Sequence, residues 1–185
     1  MENGASSYRR FLEGDENGIV EIVRDYKDGL MLYLNGYVRN IHTAEDLTED
    51  TFIRLVAKRP RYSDRYAFKT WLYAIGRNLA IDYLRRQKRR SEQPLDGMEE
   101  ILADEVSVEK QYLREERKIL LFRLMDRLHE KYRQVLYLYY FENLRHEEIG
   151  RLLHKNRRQV ENLLYRAKQA LKRETEKEGF RHEDL

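Results

Sequence analysis

The chain of 185 residues contains no cysteine, which removes disulfides, thiolate nucleophiles and cysteine-ligated zinc at once. Its five histidines, at 42, 129, 146, 154 and 182, form no H-E-x-x-H pair. His146, Glu147 and Glu148 are consecutive, but helical geometry turns neighbours to different sides, so they read as surface residues rather than a metal site. With no nucleophile–base pair and no phosphate-binding glycine loop either, neither an enzymatic activity nor a cofactor is expected. No apolar run is long enough for a membrane span, and the polar start Met1–Arg10 lacks the apolar core of a signal peptide, so a cytoplasmic protein without membrane insertion is expected. Proline is limited to Pro60 and Pro94 and glycine to nine positions. Long uninterrupted stretches rich in Leu, Glu, Lys and Arg follow, which predict an all-α chain of two small helical domains.

Charge of one sign is scarce only in places. The net charge of +3 resolves into +4 over residues 1–90, −6 over 91–112 and +5 over 113–185. Two basic modules, 1–90 and 113–185, thus flank an acidic connector, 91–112, whose Pro94, Gly97 and lack of initial apolar periodicity predict an extended linker.

The last quarter carries the clearest pattern. Leu144–Gly150, a break at His154–Asn156 and Arg157–Arg173 read as helix, turn, helix, the spacing of a helix-turn-helix whose second helix enters the DNA major groove. Val160, Leu163, Leu164, Ala167 and Leu171 form its buried stripe. The opposite face carries Arg158, Asn162, Tyr165 and Gln169, flanked by Glu161, Arg166, Lys172 and Arg173; Arg suits guanine edges, Asn and Gln suit adenine, and Glu can accept from the cytosine amino group. Lys155–Arg173 holds seven basic residues against one acidic, Glu161. A merely solvated amphipathic helix would explain neither the preceding short helix nor the turn. Asn156 is placed to cap the second helix.

In the first module, Ile19, Val23, Tyr26, Leu30, Tyr33, Tyr37 and Ile41 predict a long amphipathic helix over about 18–40, locally weakened by Gly29 and Gly36. Thr43, with Asp46 three residues on, is expected to cap a second helix running to about Lys58. Its inner face is Ala44, Leu47, Thr51 and Leu55 with Phe52 beside them; its outer face carries Glu45, Asp46, Glu49 and Asp50. Without a histidine or burial to separate their pKa values, these carboxylates fit a docking face or plain solvation rather than acid–base chemistry. Pro60 ends the helix, Arg61–Tyr66 forms a loop rich in Tyr and Arg, and a third helix over about 68–90 turns Leu72, Ile75 and Leu79 inward. Tyr62, Tyr66, Phe68, Trp71 and Tyr73 interleaved with cations have the composition of a platform for single-stranded nucleic acid. Trp71 and Phe68 fit a bundle core equally well, whereas Tyr62 and Tyr66, in a loop, are expected to be exposed.

Three segments in this order, Ala44–Leu55, Phe68–Asn78 and Leu128–Leu144, resemble the bacterial RNA polymerase sigma factors of the extracytoplasmic-function (ECF) group, which join sigma region 2 to sigma region 4 by a linker. The resemblance covers nearly the whole chain. It implies a promoter-specificity subunit that binds core RNA polymerase, reads −10 and −35 elements and helps open the DNA. It assigns Glu45, Asp46, Glu49, Asp50 and Arg54 to the clamp helices of the β′ subunit and region 4 to the β flap. Arg61, Tyr62, Arg65, Tyr66, Phe68, Lys69 and Trp71 would hold an unstacked −10 base, and Arg77, Asn78, Asp82, Arg85 and Arg86 would contact the bubble edge. Arg157, Arg158, Gln159, Glu161, Asn162, Tyr165, Arg166 and Gln169 would read the −35 duplex. The acidic linker would stand in for RNA in the polymerase's RNA path, and an anti-sigma factor is a usual further partner. Departures are His129 where the family usually has proline, Arg145 where it has small or capping residues, and His154 where it has a turn glycine; Arg157 and Arg158 replace small residues and imply a distinct −35 preference. Two other readings compete: a self-sufficient helix-turn-helix regulator, against which the aromatic–basic segment 62–90 has no role on intact duplex, and a helical sigma mimic that binds no DNA, against which stands the cation density on Arg157–Arg173.

Overall fold

A computed structural model describes residues 3–91 and 116–177, all the regular structure among them helical. The chain divides into two compact units, Met1–Asp104 and Glu105–Leu185. The expected extended linker lies outside the described residues. No described helix is long and apolar enough to cross a membrane.

The first unit holds α1 (Asn3–Leu12), α2 (Asn17–Val38), α3 (Ile41–Lys58) and α4 (Phe68–Ser91). Leu30 and Leu34 of α2, Leu55 of α3 and Leu72 of α4 are fully buried together with Ala44 and Tyr73, so the inner face expected of the second helix does form the core. Two expectations are corrected. The α3 cap is Asn40, whose side chain accepts from the Thr43 backbone N–H at 2.9 Å; Ile41 is buried, so the helix begins two residues ahead of Thr43 in order to bring it inward. On α4, Ile75 and Leu79 are only half-buried, and the inner stripe is Leu72, Tyr73, Gly76 and Ala80. Gly76 suits that register, because a Cβ there would lie 3.0 Å from Leu30 Cδ1 and 3.2 Å from Thr51 Oγ1; the three helices meet closely where the side chain is missing.

Helix α1, where the sequence suggested only a polar start, buries Ala5, Ser7, Tyr8 and Phe11. Its backbone crosses α2 at Gly18, where a Cβ would fall 2.2 Å from the Ser7 carbonyl oxygen. Ser7 Oγ donates to Glu21 at 2.6 Å, and Arg10 pairs with the same carboxylate and with Asp15. Those hydrogen bonds, from Ser7 first and Arg10 second, hold Glu21 below its ordinary pKa.

The second unit holds α5 (Glu116–Asp126), α6 (Glu130–Tyr140), α7 (His146–Leu153) and α8 (Arg157–Lys177). Leu124, Met125, Val135, Leu136, Leu138, Ile149, Leu152, Val160 and Ala167 form its core. Buried Arg133 ties α6 to the end of α5, donating to the Asp126 carbonyl oxygen at 3.1 Å with the Asp126 carboxylate 3.6 Å away. His129 replaces proline without loss of the helix start, since its Nδ1 accepts from the Lys131 N–H at 3.3 Å and caps α6.

Burial pushes the Tyr8 phenol up to about 12 against the pull of Arg59, and burial, with Tyr37 beside it, pushes Tyr33 well above the ordinary tyrosine value. An unfolded chain releases these protons from about pH 10, whereas the folded chain keeps them. Stability is therefore complete below that pH and falls as pH rises toward the folded values. In urea titrations between pH 8 and 11, the unfolding midpoint of the wild type is expected to fall more steeply than that of Tyr8→Phe; parallel slopes would show that Tyr8 is not a source of the loss.

Candidate polymerase and promoter interfaces

The outer face of α3 is more than an acidic stripe. Asp46, Glu49, Asp50 and Arg54 are exposed, and Glu45 is half-buried with its carboxylate 3.5 Å from Lys27 Nζ. Ile53, 61% exposed, and Val56, 46% exposed, continue the same side of the helix. The sequence reading missed these two, although both fall off the buried 44, 47, 48, 51, 55 series and their exposure could have been read from that phase. The outer side of α3 thus combines carboxylates with two exposed aliphatic side chains.

Between α3 and α4 the loop presents Arg61 and Arg65 to solvent. Tyr62 and Tyr66 depart from the expected exposure and are half-buried. The Tyr62 ring packs 5.4 Å from Phe68 and 5.2 Å from Trp71, and its hydroxyl donates to the Tyr66 carbonyl oxygen at 2.5 Å; the Arg65 guanidinium lies 5.6 Å from the Tyr66 ring. Phe68 is only 1% exposed. It is therefore a core residue in this conformation, with no face to offer a base, and its place is under the loop. Trp71 is half-buried between the loop and α1, and Lys69 is half-buried beside it in sequence. Along α4, Asn78, Asp82, Arg85 and Arg86 are exposed at helical spacing and Arg77 is half-buried. Asp82 holds both arginines to its own side of the helix: its carboxylate is 3.6 Å from Arg85, and its carbonyl oxygen accepts from Arg86 Nε at 3.3 Å.

In the second unit α7 and α8 meet at a three-residue turn. The first helix runs over His146–Leu153 rather than from Leu144, which is buried ahead of it, and the Glu148 carboxylate accepts from the Arg145 N–H at 2.8 Å to close its start. His154 adopts the left-handed conformation, φ 54° and ψ 48°, and the Lys155 N–H donates to the Gly150 carbonyl oxygen at 2.7 Å, so the turn keeps its shape with histidine in the glycine position. Asn156 caps α8 reciprocally with Gln159: the Asn156 side chain accepts from the Gln159 N–H at 2.9 Å, and the Gln159 side chain accepts from the Asn156 N–H at 3.0 Å.

The stripe of Val160, Leu164, Ala167 and Leu171 is buried, Leu163 is half-buried, and Arg158, Asn162, Tyr165, Arg166, Gln169, Lys172 and Arg173 are all exposed. Tyr165 is 67% exposed, an unusual position for so large a ring without a partner surface to meet. Arg157 differs from Arg158. Its Nε donates to Glu161 at 2.9 Å and its guanidinium lies 3.1 Å from Glu147, so it ties α8 to α7, and its hydrogen bond holds the Glu161 carboxyl below the ordinary range. Lys168 stands over the Tyr139 and Tyr140 rings at 4.8 and 5.5 Å. An open groove of about 530 Å³ beside α8, also not foreseen, is lined by Lys131, Lys155 and Arg166 with His129, Gln159 and Asn162.

Residues 22–90 match the family model of Sigma-70 region 2, and residues 118–171 that of Sigma-70, region 4. The chain is 30% identical over 154 residues to the ECF RNA polymerase sigma factor SigM of Bacillus subtilis, covering 83% of this chain and 93% of the relative. The chain belongs to the ECF sigma factors. Its function is accordingly in transcription initiation by RNA polymerase. The ECF sigma factor SigW of the same organism is 29% identical over 170 residues, 88% of this chain and 91% of that one. Two solved proteins share the fold. The first is RpoE of Bartonella quintana, solved with the anti-sigma factor NepR, with a TM-score of 0.63, 17% identity and coverage of 84% of this chain and 95% of that one. The second is CnrH, solved with the cytosolic domain of CnrY, with a TM-score of 0.59, 18% identity and coverage of 91% and 92%. Helix α1 precedes the part of the ECF sigma factor that the region 2 model matches.

The strained turn gives a direct check. A left-handed residue with a side chain costs roughly 1 kcal/mol that glycine avoids, less what glycine adds in unfolded-state entropy. His154→Gly is expected to leave the fold of the second unit unchanged and raise its stability by about 0.5 kcal/mol, whereas Asn156→Ala, which removes a cap, lowers it by about 1 kcal/mol; chemical denaturation of the two variants reads both signs.

Proposed function

We propose that this ECF sigma factor directs core polymerase to promoters through three surfaces. The outer face of α3, with Asp46, Glu49 and Asp50 running into Ile53 and Val56 and with Arg54 at its edge, docks on the β′ clamp helices. The loop 59–67, with Arg61 and Arg65 outermost and Trp71 beneath, takes an unpaired base of the −10 element, while Arg77, Asn78, Asp82, Arg85 and Arg86 follow the backbone at the edge of the bubble. The exposed face of α8 reads the −35 duplex, with Arg158, Asn162, Tyr165 and Gln169 toward base edges. Arg166, with Lys131 and Lys155 across the groove, meets a phosphate, and Gln159 and Arg157 act by holding the turn rather than by reading DNA. The β flap takes region 4, and an anti-sigma factor, of which NepR with RpoE is an example, competes for these surfaces. The protein works where the polymerase is, in the cytoplasm, and has no enzymatic activity of its own.

The observation that carries this reading is the pairing of a helix-turn-helix having an uncovered cationic face with an acidic–aliphatic face on a separate unit. A self-sufficient regulator has use for the first but not for the second, and a sigma mimic has use for the second but not for the first. Run-off transcription with purified bacterial core polymerase over a pool of random promoter sequences tests it: transcripts that require the protein and share two spaced elements are expected, and DNA binding without transcription would overturn it in favour of the regulator.

Within that assay, Arg158→Ala and Asn162→Ala are each expected to weaken −35 recognition by roughly 1–3 kcal/mol while leaving polymerase binding intact; an equal loss on every sequence would make them phosphate contacts. Charge reversal at Asp46 and Glu49 is expected to weaken binding to core polymerase without changing duplex binding by the second unit's recognition face. Unchanged affinity for the core would remove α3 from that interface.

A further inference from the structure

The loop 59–67 that carries Arg61 and Arg65 contains no helix or strand of its own. Within itself it has the hydrogen bond of Tyr62 to the Tyr66 carbonyl. Beside the packing of Tyr62 on Phe68 and Trp71 of α4, it is restrained by α1, some fifty residues away in sequence. The Tyr8 hydroxyl donates to the Pro60 carbonyl oxygen at 2.8 Å, the Arg9 guanidinium pairs with the Asp64 carboxylate, and the Arg59 guanidinium lies 5.2 Å from the Phe11 ring. These contacts grip both flanks of Arg61–Ser63. The Tyr8 ring is fully buried and reaches Phe68 at 5.7 Å and Trp71 at 5.2 Å, so one side chain packs the floor of the loop and bonds its backbone. The phenol keeps its proton throughout the neutral range and remains a donor.

Charge points the same way. Among residues 59–67 Asp64 is the sole acid, set between Arg61 and Arg65. An uncompensated carboxylate there repels a nucleic-acid phosphate, and Arg9 is what compensates it. An exposed ion pair contributes little to stability, so the effect of Arg9 falls on the shape and sign of the loop rather than on the fold.

We propose that α1 is a positioning element for the −10 strand: Tyr8 fixes the backbone at Pro60, and Arg9 holds and neutralises Asp64, so that Arg61 and Arg65 are set in place before a single strand arrives. The inference rests on the assignment of loop 59–67 to the −10 element. Preorganisation of this kind lowers the ordering cost of binding.

The test uses the holoenzyme reconstituted with core polymerase and a fluorescent single-stranded oligonucleotide bearing the −10 sequence selected by run-off transcription. Tyr8→Phe and Arg9→Asp are each expected to weaken its binding roughly tenfold, about the effect of one hydrogen bond on an equilibrium. They are also expected to flatten discrimination among bases at the extruded position, while binding of a −35 duplex by the same holoenzymes and the melting temperature of Arg9→Asp stay at wild-type values. The charge-swapped pair, Arg9→Asp with Asp64→Arg, is expected to regain most of the lost affinity and base preference, a rescue that a merely destabilised protein does not give. If Arg61→Ala and Arg65→Ala weaken the oligonucleotide while Tyr8→Phe and Arg9→Asp bind as the wild type does, the brace is wrong and the loop assignment stands. If all four bind as the wild type does, loop and brace are both removed from the −10 site.

Discussion

Burial of one apolar stripe per helix is the constraint on which the rest of each unit depends. With no disulfide available, a helical unit of this size has little besides apolar contact to offset the entropy of ordering its chain. Every helix must therefore commit one face to the centre. In the first unit Leu30, Leu34, Leu55 and Leu72 make that commitment; in the second, Val135, Leu136, Ile149, Val160 and Ala167 do. Once those faces are spent, the outward directions of α3 and α8 are fixed to within a fraction of a turn. Side chains such as Asp46 and Arg158 are aimed by leucines and valines they never touch.

Helix ends are the second place where the composition is felt. The chain is poor in glycine, and the left-handed positions that commonly take glycine are filled by Arg39, Arg59, Asn143 and His154. Such residues cost more in backbone strain, and at one of them the side chain does something glycine does not. Arg59 lays its guanidinium over Phe11, joining the end of α3 to α1. Asn143 has a residue type that tolerates the conformation. For His154 no compensating contact is evident, so the turn of the helix-turn-helix stands on Lys155 bonding to Gly150 and on the reciprocal Asn156–Gln159 cap.

What could be read from the sequence follows from how each surface is made. The α8 stripe and the inner face of α3 were legible because large aliphatic residues recur there at helical spacing and nothing else competes for the core. The α4 stripe was displaced by one position because hydrophobicity favours Ile75 and Leu79, whereas packing turned on the small Gly76 and Ala80, which let α2 and α3 approach. Helix α1 was illegible for a related reason: its buried side is Ala5, Ser7, Tyr8 and Phe11, too mixed to stand out beside two arginines. The aromatic–basic segment misled in part, since composition does not separate a ring that waits for a base from one that packs beneath it. Phe68 is buried beneath the loop, and Tyr62 is half-buried against it. Arg157 and Gln159 have contacts that composition could not show, their side chains reaching Glu147, Glu161 and the Asn156 backbone.

The two units meet the same demand, a surface that binds strongly without collapsing on itself, by different means. On α8 the cations are spaced along an outer face and Glu161, which could pair with them, is occupied by Arg157; Arg158 and Arg166 thus stay turned toward solvent on a rigid helix. The loop 59–67 has no such rigidity, and its one carboxylate lies between its two outermost arginines, where it could fold either of them inward. Arg9 occupies that carboxylate instead. In both places an acidic residue next to exposed cations is paired with a further arginine, which leaves the charge of those neighbouring cations uncompensated by it.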